Sequence, residues 1–339
     1  MRQRLAQGKK RLNSKSFPRK KRSYVFIRRK KRQKLAADSY NQGYDTGYNE
    51  AMKQLNSMMR RPELGQELHA EEEYKRGLYD GGDAIVNSIL SDLDILPDIS
   101  IRQIIEAGIE QLRPQIHKLM GATEVGEQVL HAMNTRSPLS VVRLGDGELL
   151  TLAQDLVMNE EHVRKEGYFL SYAGVHIPDL HARDQLVHAI KKATIVGIPI
   201  LRMANFQPFA FTVFKAHGID YRQLKLTSSV INYSLYLEGF LSKILANRRV
   251  LIVGNTAPEL SQVLSNRGVH VAGVVTPVNG ISDIPRVMNE ISTHEYDIAL
   301  VGAGIPAVII VEQIASLHGK VAIDFGHLAD SFIKGEADL

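Results

Sequence analysis

Arg249-Val-Leu-Ile-Val-Gly254, Val269-His-Val-Ala-Gly-Val-Val275, Tyr296-Asp-Ile-Ala-Leu-Val-Gly302 and Lys320-Val-Ala-Ile-Asp-Phe-Gly326 are short apolar runs that recur through residues 249–326. Rich in β-branched side chains and mostly closed by glycine, they read as buried strands that stop at a turn. Between them, residues 257–266, 284–292 and 305–317 carry apolar side chains at helical spacing. Strands apolar on both faces, alternating with amphipathic helices, predict a mostly parallel sheet with helices on both sides. The expected fold is therefore α/β and Rossmann-like.

Upstream the same texture continues less regularly. Ser140-Val-Val142 and Thr194-Ile-Val-Gly-Ile-Pro-Ile200 read as strands, with a further segment at 224–231. Helices are expected over 123–136, 149–158, 181–192, 209–217 and 234–247, the fourth ending at Gly218, where a C′ glycine belongs. This α/β body spans residues 121–339. Residues 37–120 read as a helical spacer in which Tyr40, Gly43 and Gly47 recur 34 positions later as Tyr74, Gly77 and Gly81. Glycines four apart leave a smooth stripe on a helix, open to close approach by another. Leu93-Asp-Ile-Leu-Pro97 breaks the spacer, and a further helix over 101–119 contains Pro114.

The formal charge of +5 conceals an asymmetry. Residues 1–34 hold sixteen of the 42 Lys and Arg and no acid, leaving 26 basic against 37 acidic residues in the remainder. A tail so charged (residues 1–36) is expected to be disordered and to seek an anionic membrane or polyanion. No base-reading module accompanies it, so sequence-specific nucleic-acid recognition is not expected. Zero cysteines exclude a disulfide framework, a thiolate zinc site and a cysteine nucleophile, and fit a cytoplasmic setting. No apolar stretch reaches the length of about 18 residues that a spanning helix needs. Tyr24-Val-Phe-Ile27 is too short to serve a secretion signal.

Ligands of parallel sheets bind beyond the carboxyl ends of the strands. The loops to watch follow Val142, Val253, Val301 and Ile323. They carry Arg143, Asp146 and Glu148; Gly254, Asn255 and Thr256; Gly302, Gly304 and Pro306; and Asp324, Gly326 and His327. In Arg143-Leu-Gly-Asp-Gly-Glu148, two carboxylates stand one residue apart with Gly145 and Gly147 loosening the backbone. They suit a hard cation that bridges to a diphosphate, and equally a solvated acidic turn. Gly302-Ala-Gly-Ile-Pro-Ala307, with Asp324 ending the next strand, matches a dinucleotide fingerprint and opens a second reading as an NAD(P)-binding enzyme. A third reading is a non-catalytic scaffold that binds polyanions through its tail. His327 reads as a general base, a phosphate ligand or a plain loop histidine. His176, His181 and His188 show no tight metal spacing, and the last two read as helix residues.

Three stretches in this order resemble one family. Val142-Arg-Leu-Gly-Asp-Gly-Glu148, Arg249-Val-Leu-Ile-Val-Gly254, and Val301-Gly-Ala-Gly-Ile-Pro-Ala307 leading to Ala322-Ile-Asp-Phe-Gly-His327 look like bacterial glycosyltransferases of the GT-D fold. In that family an Arg-x-Gly-Asp-Gly-Glu loop supplies an Asp-x-Glu motif for the metal and sugar nucleotide. Leu144 stands where an aromatic is common and Phe325 where isoleucine is common; neither departure removes a charge. Asn232-Tyr233 also fits the pattern. The likeness covers roughly residues 123–330. It implies transfer of a hexose, glucose or a similar sugar, from a UDP-sugar donor to a hydroxyl of a glycan or glycoprotein. Asp146 and Glu148 would hold Mn²⁺ or Mg²⁺, and Arg143 would orient the diphosphate. Gly145, Gly147, Gly254, Asn255, Gly302, Gly304 and Asn232 would line the nucleotide-sugar cradle, and Asp324 or His327 would take the acceptor's proton. The tail would keep this cytoplasmic transferase peripheral at a membrane or near polyanionic acceptors.

Overall fold

The structure is a computed structural model and describes residues 72–77 and 79–339. The basic tail and the first copies of the Tyr/Gly pattern lie outside the described residues. The chain divides into two compact units, residues 1–101 and 102–339. In the first, residues 72–77 are helical, and a π-turn at Tyr79–Asp83 leads into α1 (Ala84–Ile89). Helix α2 (Ile101–Gln111) starts at the boundary and lies in the second unit; it stops well short of the expected residue 119. Pro114 lacks an N–H and clashes with the preceding turn, so Arg113–Gln115 close into a single 3₁₀ turn instead.

The second unit alternates as expected. Its elements are α3 (Ala122–Thr135), β1 (Leu139–Arg143), α4 (Asp146–Ala153), α5 (Glu160–Glu166), α6 (Leu180–Lys192), β2 (Ile195–Ile198), α7 (Gln207–Ala216) and β3 (Leu226–Ser228). They continue as α8 (Ile231–Leu237), α9 (Phe240–Leu245), β4 (Arg249–Gly254), α10 (Ala257–Asn266), β5 (His270–Val275), α11 (Ile284–Ile291), β6 (Ile298–Gly302), α12 (Pro306–His318), β7 (Val321–Asp324) and α13 (Leu328–Ile333). The seven strands form one sheet in the order β3-β2-β1-β7-β6-β4-β5, and every pairing is parallel.

Alternate strand residues feed two cores, because successive side chains leave a strand on opposite faces. Val142, Val196, Val253 and Val301 meet α4, α6, α7, α11 and α12 on one face. Val141, Ile195, Ile252, Leu300 and Ile323 meet α3, α8, α9, α10 and α13 on the other. Each such aliphatic side chain, fully buried, contributes about 1.5–3 kcal/mol. Helix α12 is buried along most of its length, from Pro306 through Ala315, which explains why its sequence is apolar nearly all round.

Two helices differ from expectation. The helix foreseen over 234–247 is two, α8 and α9, parted at Gly239, whose φ of +74° is a left-handed turn that glycine adopts without a steric penalty. The helix foreseen from 149 instead begins at Asp146, with consequences for the site. Among the described residues, no helix is long and apolar enough to cross a membrane.

The topology also places a crevice. From β1 the chain leaves through α4 and α6 on one face of the sheet, and from the neighbouring β7 through α13 on the other. Adjacent parallel strands whose exits diverge open a gap between their carboxyl ends, where such sheets bind ligands. Arg143 ends β1 and Asp324 ends β7.

Candidate active site at the carboxyl ends of β1 and β7

At this gap Arg143 and Asp324 form an ion pair, Nη2 to Oδ1 at 2.9 Å, with side chains only 17% and 6% exposed. The rest of the guanidinium is also engaged. Nε donates to the Asp324 carbonyl at 3.0 Å, and Nη1 donates to the Ser229 carbonyl at 3.0 Å and to Asn232 Oδ1 at 3.4 Å. Asn232, buried in α8, passes the link on by donating from Nδ2 to the Phe325 carbonyl at 2.8 Å. Arg143 thus ties together the ends of β1 and β7 and the turn after β3. These bonds engage four of the five N–H donors of the fork expected to hold phosphates. Asn232 is likewise a buried brace. Gly326 completes the arrangement: its φ is +50°, and a Cβ there would collide with Arg143 Nη2.

The two carboxylates of the Asp-x-Glu pair lie on the first turn of α4, not on an open loop. Glu148 causes this. Its Oε2 accepts the Gly145 N–H at 2.7 Å, one half of a capping box, and a carboxylate there also suits the helix dipole. Asp146 Oδ1 accepts the Gly147 N–H at 2.9 Å. Residues two apart on a helix leave it in different directions, so an ion between the two carboxylates would draw its further ligands from phosphate and water. Gly147 lets this turn pack closely, since a Cβ would already touch Ile305 and Phe169 at 3.4 Å.

The electrostatics set Glu148 apart. Desolvation pushes its pKa up to about 7, and the neighbouring Asp324 charge adds to the rise, against the Gly145 N–H and Arg143. Burial also raises Asp324, opposed by Arg143 first and by His327 among the rest. Two carboxylates therefore share one committed arginine, and Asp146 stands beside them in the sequence of the same turn. His327 is exposed and opens α13 next to Asp324.

The other expected site residues shape the rim. Gly254 and Gly302 face each other across β4 and β6, and with φ at +141° a Cβ on Gly254 would strike the Gly302 carbonyl. Asn255 braces the loop after β5, accepting from Val278 N at 2.7 Å and donating to the Val278 carbonyl at 3.2 Å. Gly304, at φ +61°, lies under Ala173, whose carbonyl accepts from Ile305 N at 3.3 Å. Gly174 and Gly280 press together beside it, and Ile281 N donates to the Gly174 carbonyl. Sequence reasoning missed this stack and Ser229; the only local signal was the glycine in Val278-Asn-Gly280. Asp324, which completes the dinucleotide fingerprint in sequence, is buried and paired with Arg143 instead of standing open at the rim.

A divalent cation can be tested against these residues. The donors are hard carboxylate oxygens in negative excess, which suits Mg²⁺ or Mn²⁺. One oxygen of each already accepts a backbone N–H, and among the described residues no group of three or more His, Asp or Glu is arranged as a metal cage. The set therefore fits an ion that takes most of its ligands from phosphate and water, as Mg²⁺ commonly does.

A crevice at a topological switch of an all-parallel sheet, rimmed by carboxylates, marks an α/β domain whose ligand site lies at the strand ends. The model of the GT-D fold-like domain matches residues 120–332, and the chain belongs to that family, with a glycosyltransferase-type fold. One solved structure, described as a highly conserved domain of unknown function with a distinct glycosyltransferase fold, is similar at 17% identity. The match covers 64% of this chain and 82% of that one, with a TM-score of 0.43. No curated protein matches.

Proposed function

We propose that the chain is a hexosyltransferase that moves a sugar, glucose or a close relative, from a UDP-sugar to a hydroxyl of a glycan or glycoprotein. The observation that carries this reading is the gathering of Glu148 and Asp324 around Arg143 at the β1–β7 gap, with Asp146 on the adjoining helix turn. Membership of the GT-D-like family supports a transferase reading.

In this proposal Asp146 and Glu148 would hold Mn²⁺ or Mg²⁺. The ion would neutralise charge that builds on the departing diphosphate. Arg143 keeps the strand ends in register and holds Asp324 in place. The glycines at 145, 254 and 302 keep the rim free of side chains, so a diphosphate can approach backbone N–H groups. His327, exposed and beside Asp324, takes the proton from the acceptor hydroxyl as its oxygen attacks the anomeric carbon.

The test is product formation from a panel of UDP-sugars with a simple glycoside acceptor, with and without Mn²⁺, for wild type and His327→Ala. Metal-dependent turnover with one donor, reduced by the substitution, supports the reading. Failure of every donor to bind or turn over would remove it.

A further inference from the structure

On the face of the sheet covered by α6 and α12, these two helices leave a groove of about 320 Å³ between them. Its lining includes His181, Asp184, Gln185 and His188 of α6 with Glu312 and Gln313 of α12. None of these residues takes part in the site at β1 and β7. The volume is at the lower end of the range for small-molecule sites, about 300–1,000 Å³.

Glu312 is the anomaly. It is 4% exposed, and its Oε1 has no hydrogen-bond partner. Gln185 Oε1, in the same groove, is also buried without a partner. A buried carboxylate or amide oxygen left unsatisfied is costly, more so when charged, so native proteins pair such atoms. Both orphaned atoms are acceptors, and a carboxylate can only accept. Whatever completes the groove must donate, and Glu312 and Asp184 favour a positive charge.

The cation is organic rather than metallic on two grounds. His181 and His188 stand seven residues apart on α6, a rise of about 10 Å, too far to share one ion. Among the described residues no His/Asp/Glu group is arranged for a metal. A guanidinium answers the chemistry better, because it carries a positive charge and several N–H donors in one plane and accepts nothing.

We infer that the α6–α12 groove is a binding site for a small guanidinium-bearing cation, held by Glu312 and Gln185. Agmatine is the probe, with urea as the neutral control at matched ionic strength. Saturation-transfer NMR and thermal unfolding of the full chain should show saturable binding of agmatine and none of urea. Glu312→Gln, which keeps the shape but removes the charge, should weaken binding at least about tenfold, the equivalent of about 1.4 kcal/mol. Gln185→Leu, on the other helix, gives a second reading should the first variant fold poorly, and it should also weaken binding. Absence of saturable binding to wild type would overturn the inference. So would binding as tight as the wild type's in both Gln185→Leu and Glu312→Gln.

Discussion

Replacing Glu148 with glutamine isolates the cost of a charge at the mouth of the β1–β7 gap. In the folded chain burial and Asp324 push the Glu148 pKa up to about 7, above the ordinary glutamate range. A group whose folded pKa is raised stabilises the fold most when protonated. That contribution is complete below about pH 4 and is lost as the pH rises through about 7. The loss amounts to about 3 kcal/mol by pH 8 and about 1 kcal/mol at pH 5. Glu148 keeps a partial opening to solvent, so these are upper figures. The glutamine oxygen can still accept from Gly145 N–H, so the helix start survives. Glu148→Gln should therefore be more stable than wild type at pH 8 by about 2–3 kcal/mol, raising the melting temperature by about 5–10 °C. The advantage should shrink toward zero as the pH falls below 5. Urea unfolding of both proteins at pH 5 and pH 8 measures it. A variant less stable than wild type at pH 8, or a difference independent of pH, would refute the electrostatic argument.

Three further outcomes follow from the same contacts. Gly326→Ala puts a methyl group onto Arg143 Nη2 at a left-handed φ, so the buried ion pair must part, at a cost of about 3–5 kcal/mol in unfolding free energy. Arg143→Lys keeps the charge but cannot reach Ser229, Asn232 and Asp324 together; about 2–3 kcal/mol should be lost, measured by denaturant titration. Deleting residues 1–34 should abolish sedimentation with anionic vesicles, and binding by the full chain should fall steeply between low and physiological salt. Salt-insensitive binding would count against the tail's role.

The fold was legible because a parallel sheet buries its strands on both faces, and continuous runs such as Arg249-Val-Leu-Ile-Val-Gly254 have few other uses. Parallel strands also fix which ends carry the ligand loops, so Arg143 and Asp324 could be assigned to the rim from sequence. Their partnership could not. Arg143 meets Ser229 and Asn232 only through the turn after β3, and nothing local to residue 143 encodes those acceptors. The start of α4 was hidden for a different reason. Gly145 has no side-chain oxygen to announce a cap, so only the Glu148 half of the capping box exists. As a result the first turn of a helix was read as an acidic loop. Resemblance supplied the sugar; the geometry supplies the crevice, the carboxylates and the arginine that holds the strand ends.

Asp146 offers the sharpest separation of chemistry from folding. It makes a single hydrogen bond within the chain among the described contacts, to the Gly147 N–H, so Asp146→Asn should melt within about 2 °C of wild type. UDP-glucose turnover by the two proteins in Mn²⁺ is the decisive comparison. The proposed function predicts metal-dependent turnover by wild type and a loss of about 100-fold or more in the variant. Equal turnover by a folded Asp146→Asn protein would contradict it.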